Sequence, residues 1–267
     1  MSASATVRCG IVLHPSAHTL SPRLHREAYA ELELEARYET FDVTPAQLPE
    51  TLRRLGEQGL RQLSVSLPHK EAVLELADRA TPEARAIGAA NTLTREHGEW
   101  VADNTDWIGV ARSLEPHGPW EGRRALILGA GGAARAIVYA LEHLDCQVCV
   151  TNRSPERARR LVAELGGRVG AVDDPWDLLV NATPVGMFPD VDATPFPAES
   201  LRPGGLVFDS VYRPLQTRLL REARAAGCAI QDGLEMLVHQ AAEQVRIWSG
   251  WTPTAARLRE AALRELR

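Results

Sequence analysis

Short apolar strands alternate with amphipathic helices along nearly the whole chain, which predicts an α/β fold built as two α/β domains in tandem. Two further features support this. The turn-rich stretch EPHGPWEGR separates two such alternating runs, and a glycine-led turn in the second run joins a wholly apolar strand to a helix.

In the first run, TVRCGIVL reads as a strand and SPRLHREAYAELELEA as a helix, with Ser21 as N-cap and Pro22 in its first turn. ARYETFDV is a second strand. TPAQLPETLRRLGEQG is a helix capped by Thr44, with Pro45 next. RQLSVSL is a third strand ending at Pro68, KEAVLELADRA is helical, and ANTLTREHGEWVADN forms two strands around a His97-Gly98 turn. The first sheet is expected to be largely parallel. In the second run RRALILG, CQVCVTNR, WDLLVNAT and GGLVFDS are strands. GAGGAARAIVYALEHL, SPERARRLVAEL (capped by Ser154) and PLQTRLLREARAAG are helices, and two more close the chain, GLEMLVHQAAEQVRIWSG and TPTAARLREAALRELR.

The composition is that of a soluble globular protein, 45% hydrophobic and 24% charged over 267 residues. A net charge of −5 with mixed signs argues against nucleic acid or an anionic membrane as partner. The start, MSASATVRCG, lacks the basic and apolar regions of a signal peptide, and no run is long enough to span a bilayer, so a cytoplasmic protein is expected. Cys146 and Cys149 form a C-x-x-C, but within a strand-like stretch a three-residue offset points their side chains to opposite faces. They read as two packed thiols, and no metal site is expected.

Gly129-Ala130-Gly131-Gly132-Ala133-Ala134 follows an apolar strand and opens a helix, the setting of a dinucleotide-binding turn. Glycine permits the tight turn and lets a pyrophosphate approach the N–H groups and dipole of the helix start. About twenty residues on, an NAD site carries an acidic residue that pairs with the ribose hydroxyls. Here Asn152, Arg153, Ser154 and Arg157 stand in that region, and two guanidiniums with a hydroxyl suit a 2′-phosphate, which points to NADP.

Polar clusters follow the strands of the first run, at His14 to Pro22, Ser64 to Lys70, Ala89 to Thr92 and Asp103 to Asp106. Ligands of open α/β sheets bind beyond the carboxyl ends of strands. The clusters supply a lysine, a carboxylate, amides and hydroxyls without metal-ligand spacing, an inventory that suits a polyhydroxylated acid.

With these motifs in place the chain resembles the shikimate dehydrogenase family over essentially its whole length. The carrying motifs are Thr-x-Ser-Pro (Thr19 to Pro22), V-S-L-P-H-K (Val65 to Lys70), G-A-A-N-T, D-N-T-D, G-A-G-G-A-A and N-R-S. N-A-T-P-V-G-M, D-S-V-Y-R-P and D-G-L-E-M-L-V-H-Q follow in order. The resemblance implies an N-terminal substrate domain, a Rossmann-like NADP-binding domain, and C-terminal helices returning to the first. The expected boundaries are 1–105 plus 240–267 for the substrate domain and 106–239 for the cofactor domain. It implies reversible NADPH-dependent reduction of 3-dehydroshikimate to shikimate, a step toward chorismate and the aromatic amino acids. Lys70 and Asp106 match the family's catalytic pair; a partly desolvated lysine handles the proton while the carboxylate orients it. Thr19 and Ser21 match the pair that holds the substrate carboxylate, Tyr212 lies near it, and Ser66, Asn91 and Gln240 match positions that bind ring hydroxyls. Thr183 and Met187 are expected on the nicotinamide side, and Gly233 completes the cofactor set. The expected partner is the small-molecule substrate, with the chain a monomer or homodimer.

Four positions depart from the family pattern: Thr19 replaces a serine, Ser66 a threonine, His69 a phenylalanine and Ser64 an asparagine. A methyl moved in a polar pocket is worth about 1–3 kcal/mol of discrimination, enough to shift preference toward quinate. His69 is read as a solvated loop histidine or as a cationic neighbour of Lys70. The alternatives weighed are a quinate or quinate/shikimate dehydrogenase, a non-catalytic NADP-binding regulator, and a tetrahydrofolate-linked dehydrogenase, which leaves the Thr-x-Ser-Pro and D-N-T-D clusters unexplained.

Overall fold

The computed structural model describes residues 6–16 and 19–266, so Ala17 and His18 of the first polar cluster lie outside the described residues. In chain order the elements are β1 (Val7–Leu13), α1 (Ser21–Glu31), β2 (Ala36–Asp42), α2 (Leu48–Glu57), β3 (Gln62–Val65), α3 (Ala72–Leu76), β4 (Arg79–Ala80), α4 (Pro82–Ile87), β5 (Thr92–Glu96) and β6 (Glu99–Asp103). There follow α5 (Asp106–Leu114), β7 (Arg124–Leu128), α6 (Gly132–His143), β8 (Gln147–Thr151), α7 (Pro155–Leu165), β9 (Arg168–Val169) and β10 (Leu178–Asn181). The chain closes with β11 (Leu206–Asp209), α8 (Arg218–Ala225), β12 (Ala229–Gln231), α9 (Gly233–Ser249) and α10 (Ala255–Glu265). Two compact units emerge, one of Met1–Thr105 with Val238–Arg267 and one of Asp106–Leu237.

The first unit holds a six-stranded sheet in the order β2-β1-β3-β5-β6-β4. Among the described residues, three of its five pairings are parallel, β4 with β6 among them, and two are antiparallel. β1 pairs parallel with β2 and β3, but β5 is antiparallel to β3 and to β6. The cause is the two-residue turn at His97 (φ 49) and Gly98 (φ 86), whose positive φ angles suit a tight hairpin and reverse the chain without a crossover helix. Alternation along the strands then sorts side chains by face. Leu63, Val65 and Leu93 join Leu48, Leu52 and Leu55 of α2 in an apolar core. Gln62, Ser64, Thr92 and Thr94 point the other way, toward the side where Gln244 of α9 lies, and all four are buried. The α2 residues Leu48, Thr51, Leu52 and Leu55 share one helical stripe, which is why that helix buries a single face.

Several local expectations change. Ser21 is the first helical residue rather than the N-cap, a place taken by Leu20; the backbone N–H of Ser21 instead donates to Thr19 Oγ1 at 3.2 Å. The second expected helix begins as a 3-10 turn at Pro45–Gln47, where Gln47 Oε1 accepts from both the N–H and the hydroxyl of Thr44. The segment after Lys70 is helical only over Ala72–Leu76 and then supplies β4. α4, capped by Thr81 and closed by left-handed Gly88, and α5 are additions to the expected elements.

The second unit is a six-stranded sheet in the order β12-β11-β10-β7-β8-β9, parallel at every pairing. Its central strands are buried on both faces, as parallel sheets require. Ala125 and Ile127 face the core built with α5, α6 and α7, whereas Leu126 and Leu128 face the one built with α8. Cys146 packs in the first core and Cys149 in the second, so the C-x-x-C thiols lie on opposite faces; Cys146 sits one residue before its strand. Burial pushes both thiols up to about 11, which keeps them protonated and unreactive.

Gly10, in the inner strand β1, has no room for a side chain: a Cβ there would lie 2.6 Å from the Glu39 carbonyl oxygen and 2.7 Å from a Phe41 ring carbon. Gly10→Ala is expected to destabilise the protein by about 1–3 kcal/mol, because strand backbone must move. Urea unfolding should show a lower midpoint with an unchanged m-value.

Candidate functional site

In the second unit the strand order reverses between β7 and β10, the topological switch point at which open α/β sheets bind ligands. The glycine turn lies there. The N–H of Gly129 donates to Thr151 O at 2.9 Å, and its φ of 123 belongs to glycine alone. A Cβ on Gly129 would meet Thr183 Cγ2 at 3.0 Å and Ala182 O at 3.1 Å, so this turn is seated against the loop that leaves β10. Gly131 is the extended N-cap of the 12-residue α6, with nothing within 4 Å of where its Cβ would be. Gly132, Ala133 and Ala134 form the first turn of α6, leaving its N–H groups for an anion.

The end of β8 carries the charges. Asn152 Nδ2 donates to Ser154 O at 3.0 Å, fixing the bend into α7, while the Ser154 hydroxyl makes no capping bond. Arg153 and Arg157 are exposed. Neighbouring arginines are neutralised: Arg159 pairs with Glu156, Arg160 with Glu164, and Arg135 with Glu164. Among the described residues neither Arg153 nor Arg157 enters an ion pair, so two guanidiniums beside a hydroxyl not engaged in capping stand ready for a phosphate.

Asn181, the last residue of β10, organises the loop that follows it. Its Oδ1 accepts from the N–H and hydroxyl of Thr183, and its Nδ2 donates to Asp209 Oδ1 at 2.9 Å. Asp209 is fully buried and also accepts from Thr217 Oγ1 at 2.6 Å and Val211 N at 3.0 Å. Met187 is exposed in the same loop, and Tyr212 is half-buried past β11. Gly233 opens α9 against backbone; a Cβ there would lie 2.4 Å from Ser210 O. Its requirement is therefore closeness rather than an unusual φ angle.

In the first unit, topology gathers the remaining polar residues at one sheet edge. β1 and β3 run parallel and end there, while β5 starts and β6 ends there, because Ser64 pairs with Thr92 and Thr92 with Asp103. Ser66 and Lys70 follow β3, with Lys70 O accepting from Ala90 N at 2.8 Å and Asn91 O accepting from Val65 N at 2.7 Å. Asn91 is buried, and its Oδ1 accepts from Thr105 N at 2.7 Å and Thr92 Oγ1 at 2.9 Å. Its Nδ2 donates to Thr105 Oγ1 at 2.9 Å and to Gln240 Oε1 at 3.2 Å. Thr19 and Ser21 hydroxyls lie 3.2 Å apart. Asp106, buried, directly follows Thr105 as the first residue of α5.

His69 matches neither expectation. It is buried, its Nε2 bonded to Val43 O at 2.7 Å, and burial pushes its pKa down. It is a neutral structural histidine that pins the loop before Lys70. Sequence reasoning also misses His25, Tyr38 and Gln244, all buried under the polar face of the sheet, and Asp209. The available signal is the Gln62-x-Ser64 alternation of β3, which places polar side chains on a buried face that must find partners.

These features define an α/β protein with a dinucleotide-binding turn in one unit and a small polar-ligand site in the other. Residues 11–93 match the shikimate dehydrogenase substrate binding domain, 111–182 the shikimate / quinate 5-dehydrogenase model, and 233–263 the shikimate 5'-dehydrogenase C-terminal domain. A shikimate dehydrogenase (NADP(+)) of Thermus thermophilus is 43% identical, covering 97% of this chain and 99% of its own. The crystal structure of a Thermus thermophilus shikimate 5-dehydrogenase in complex with NADP(H) and shikimate superposes with a TM-score of 0.92 at 42% identity, over 97% of this chain and 99% of that one. Quinate dehydrogenase from Corynebacterium glutamicum in complex with NAD gives 0.89 at 30% identity, over 97% and 99%. The chain belongs to the shikimate dehydrogenase family.

The buried Asp209 carboxyl supplies a pH test. Burial pushes its pKa from 3.8 up to about 6, against the opposing pull of its hydrogen bonds. A pKa raised in the folded state means that the group's contribution to stability is fully present below pH 3.8 and is lost as pH rises through about 6. The stability difference between wild type and Asp209→Asn should therefore shift against wild type by on the order of 2–3 kcal/mol between about pH 4 and pH 7. Urea unfolding of both proteins at the two pH values checks this.

Proposed function

We propose that the chain catalyses the reversible NADPH-dependent reduction of 3-dehydroshikimate to shikimate. The observation that carries this reading is the full-length likeness to a Thermus enzyme crystallised with NADP(H) and shikimate. The unit Met1–Thr105 with Val238–Arg267 binds the substrate, and Asp106–Leu237 binds NADP.

The residues present fit the cofactor. Gly129 gives a turn without a side chain, Gly131 leaves its surroundings open, and Ala130, Gly132 and Ala133 complete the approach to the α6 N-terminus for the pyrophosphate. Asn152, Arg153, Ser154 and Arg157 hold the 2′-phosphate; Thr183 and Met187 border the nicotinamide, and Gly233 lets α9 start close to Ser210. When bound, NADP supplies or takes up the hydride. Everything else is the work of side chains. Thr19 and Ser21 donate to the substrate carboxylate with Tyr212 near it, while Ser66, Asn91 and Gln240 hold the ring hydroxyls. Lys70 and Asp106 carry the proton at the oxygen being reduced or oxidised, since an ammonium donates to that oxygen and a carboxylate accepts from its hydroxyl.

Quinate with NAD is disfavoured because Arg153 and Arg157 stand where an acidic ribose-binding residue would be needed. Among the described residues no helix is long and apolar enough to cross a membrane. The reading is of a cytoplasmic enzyme, monomer or homodimer, acting on a small acid.

Initial rates at the NADPH absorbance band, with NADP or NAD and shikimate or quinate, test the assignment. Shikimate with NADP should be the preferred pair, and Lys70→Ala should lower kcat by about 10²–10⁴. Arg153→Glu should raise KM for NADP about tenfold and leave turnover with NAD nearly unchanged. Turnover chiefly with quinate, or none despite NADP binding, overturns the assignment.

A further inference from the structure

The face of the first sheet opposite α2 is an unusual surface to bury. Gln62, Ser64, Thr92 and Thr94 all point into it from β3 and β5. A buried polar group without a partner costs free energy, so this face needs partners from the element packed over it. Gln244, on α9 and itself buried, engages it with all four hydrogen-bonding positions of its amide. Its Nε2 donates to the backbone carbonyl of Asn91 at 3.0 Å and to Thr92 Oγ1 at 3.0 Å. Its Oε1 accepts from Ser64 Oγ at 2.9 Å and lies 3.2 Å from His25 Nε2.

The orientation is dictated by backbone groups. Asn91 O can only accept, so the nitrogen of Gln244 faces it and the oxygen faces Ser64 and His25. His25 therefore carries its proton on Nε2 and accepts at Nδ1 from Tyr29, 3.3 Å away. Full burial pushes the pKa of His25 down to about 3, so the imidazole stays neutral and this orientation holds at working pH. Upstream, Tyr38 donates to Ser64 at 2.7 Å. Downstream, Thr92 donates to Asn91 Oδ1, which turns Asn91 Nδ2 toward Gln240 Oε1. One amide thus joins Ser64 of β3, through Thr92, with both amides assigned to the ring hydroxyls.

We propose that Gln244 is a positioning residue for the substrate. By holding Ser64, Thr92 and the Asn91 carbonyl in one donor–acceptor arrangement, it presents Asn91 and Gln240 in the orientation that a polyhydroxylated ring acid requires. Ser64, where the resemblance has asparagine, is too short to bridge to the Asn91 segment by itself, and Gln244 brings the amide from the helix side. The proposal rests on the functional reading above.

The test is a double-mutant cycle on the full-length enzyme, with thermal unfolding and NADP binding followed in parallel. Gln244→Ala should raise KM for shikimate about tenfold or more, the scale of a lost buried hydrogen bond, while KM for NADP stays within about twofold. Adding Ser64→Asn to that variant, which returns an amide from the strand side, should recover most of the loss, whereas Ser64→Asn in the wild-type background should crowd Gln244 and impair it. A shikimate KM unchanged in Gln244→Ala, or equal losses for both ligands without rescue, overturns the proposal. If Gln244→Ala does not fold, Gln244→Glu provides the second variant. It keeps the shape but sets an acceptor against the Asn91 carbonyl, so its shikimate KM should fall toward the wild-type value as pH is lowered; a pH-independent KM equal to wild type overturns the proposal. A wild-type enzyme without shikimate turnover would defeat the functional reading instead, and the two failures are distinguishable.

Discussion

The first unit depends on a single constraint: one face of its sheet is apolar and the other is polar, and both are buried. The apolar face is satisfied by α2 with leucines. The polar face is satisfied around Gln244 hydrogen bond by hydrogen bond, while Gln62 Oε1 and Thr94 Oγ1 are left without a partner among the described residues. Such a network rigidifies its members because each misplaced group forfeits a partner. Asn91 illustrates the result. Its carbonyl, its amide oxygen and its amide nitrogen are all committed, to Gln244, to Thr105 with Thr92, and to Gln240. A side chain held in this way meets a ligand already oriented, which lowers the cost of binding.

The second unit obeys a different logic. Its sheet is apolar on both faces, and its chemistry is confined to the loops at one edge. Glycines allow close approach at the switch point, while Asn181 and Asp209 shape the neighbouring loop through a buried amide–carboxyl contact. Charge is placed selectively. Of the arginines around α7, Arg159 and Arg160 are paired with Glu156 and Glu164, while Arg153 and Arg157 enter no ion pair among the described residues.

Much of this is legible in the sequence. The glycine turn and the Arg153–Arg157 pair are local patterns whose meaning depends only on the strand before them and the helix after. Lys70 stands in the loop after β3, Asn91 just before β5 and Asp106 at the start of α5, and all three carry a specific family pattern. What the sequence conceals is non-local. The His97-Gly98 hairpin is visible, but its effect on sheet sense depends on which strand β5 pairs with. Gln244 reads as one more polar residue on an amphipathic helix, and His25 as a histidine on a surface helix. Only the packing of α9 and α1 on the polar face gives them a role. α4 and α5, six and nine residues long, are short enough that capping and neighbours decide their conformation. His69 escapes a local reading because loop chemistry suggests solvent, while the structure folds it back onto the Val43 carbonyl.

The β5–β6 hairpin has a consequence for how this enzyme can be altered. Both of its ends lie beside Asn91 and Thr105, in the polar cluster proposed to bind the substrate, and its tip lies a full strand length away, about 16 Å at the usual rise per residue. Gly98 at that tip has open space around it. Inserted residues, a fluorescent reporter or an immobilisation tag placed at the tip would extend into solvent, because the ladder between β5 and β6 separates them from Asn91 and Thr105. The same fold that fixes the binding edge so tightly leaves the opposite edge free to be rebuilt.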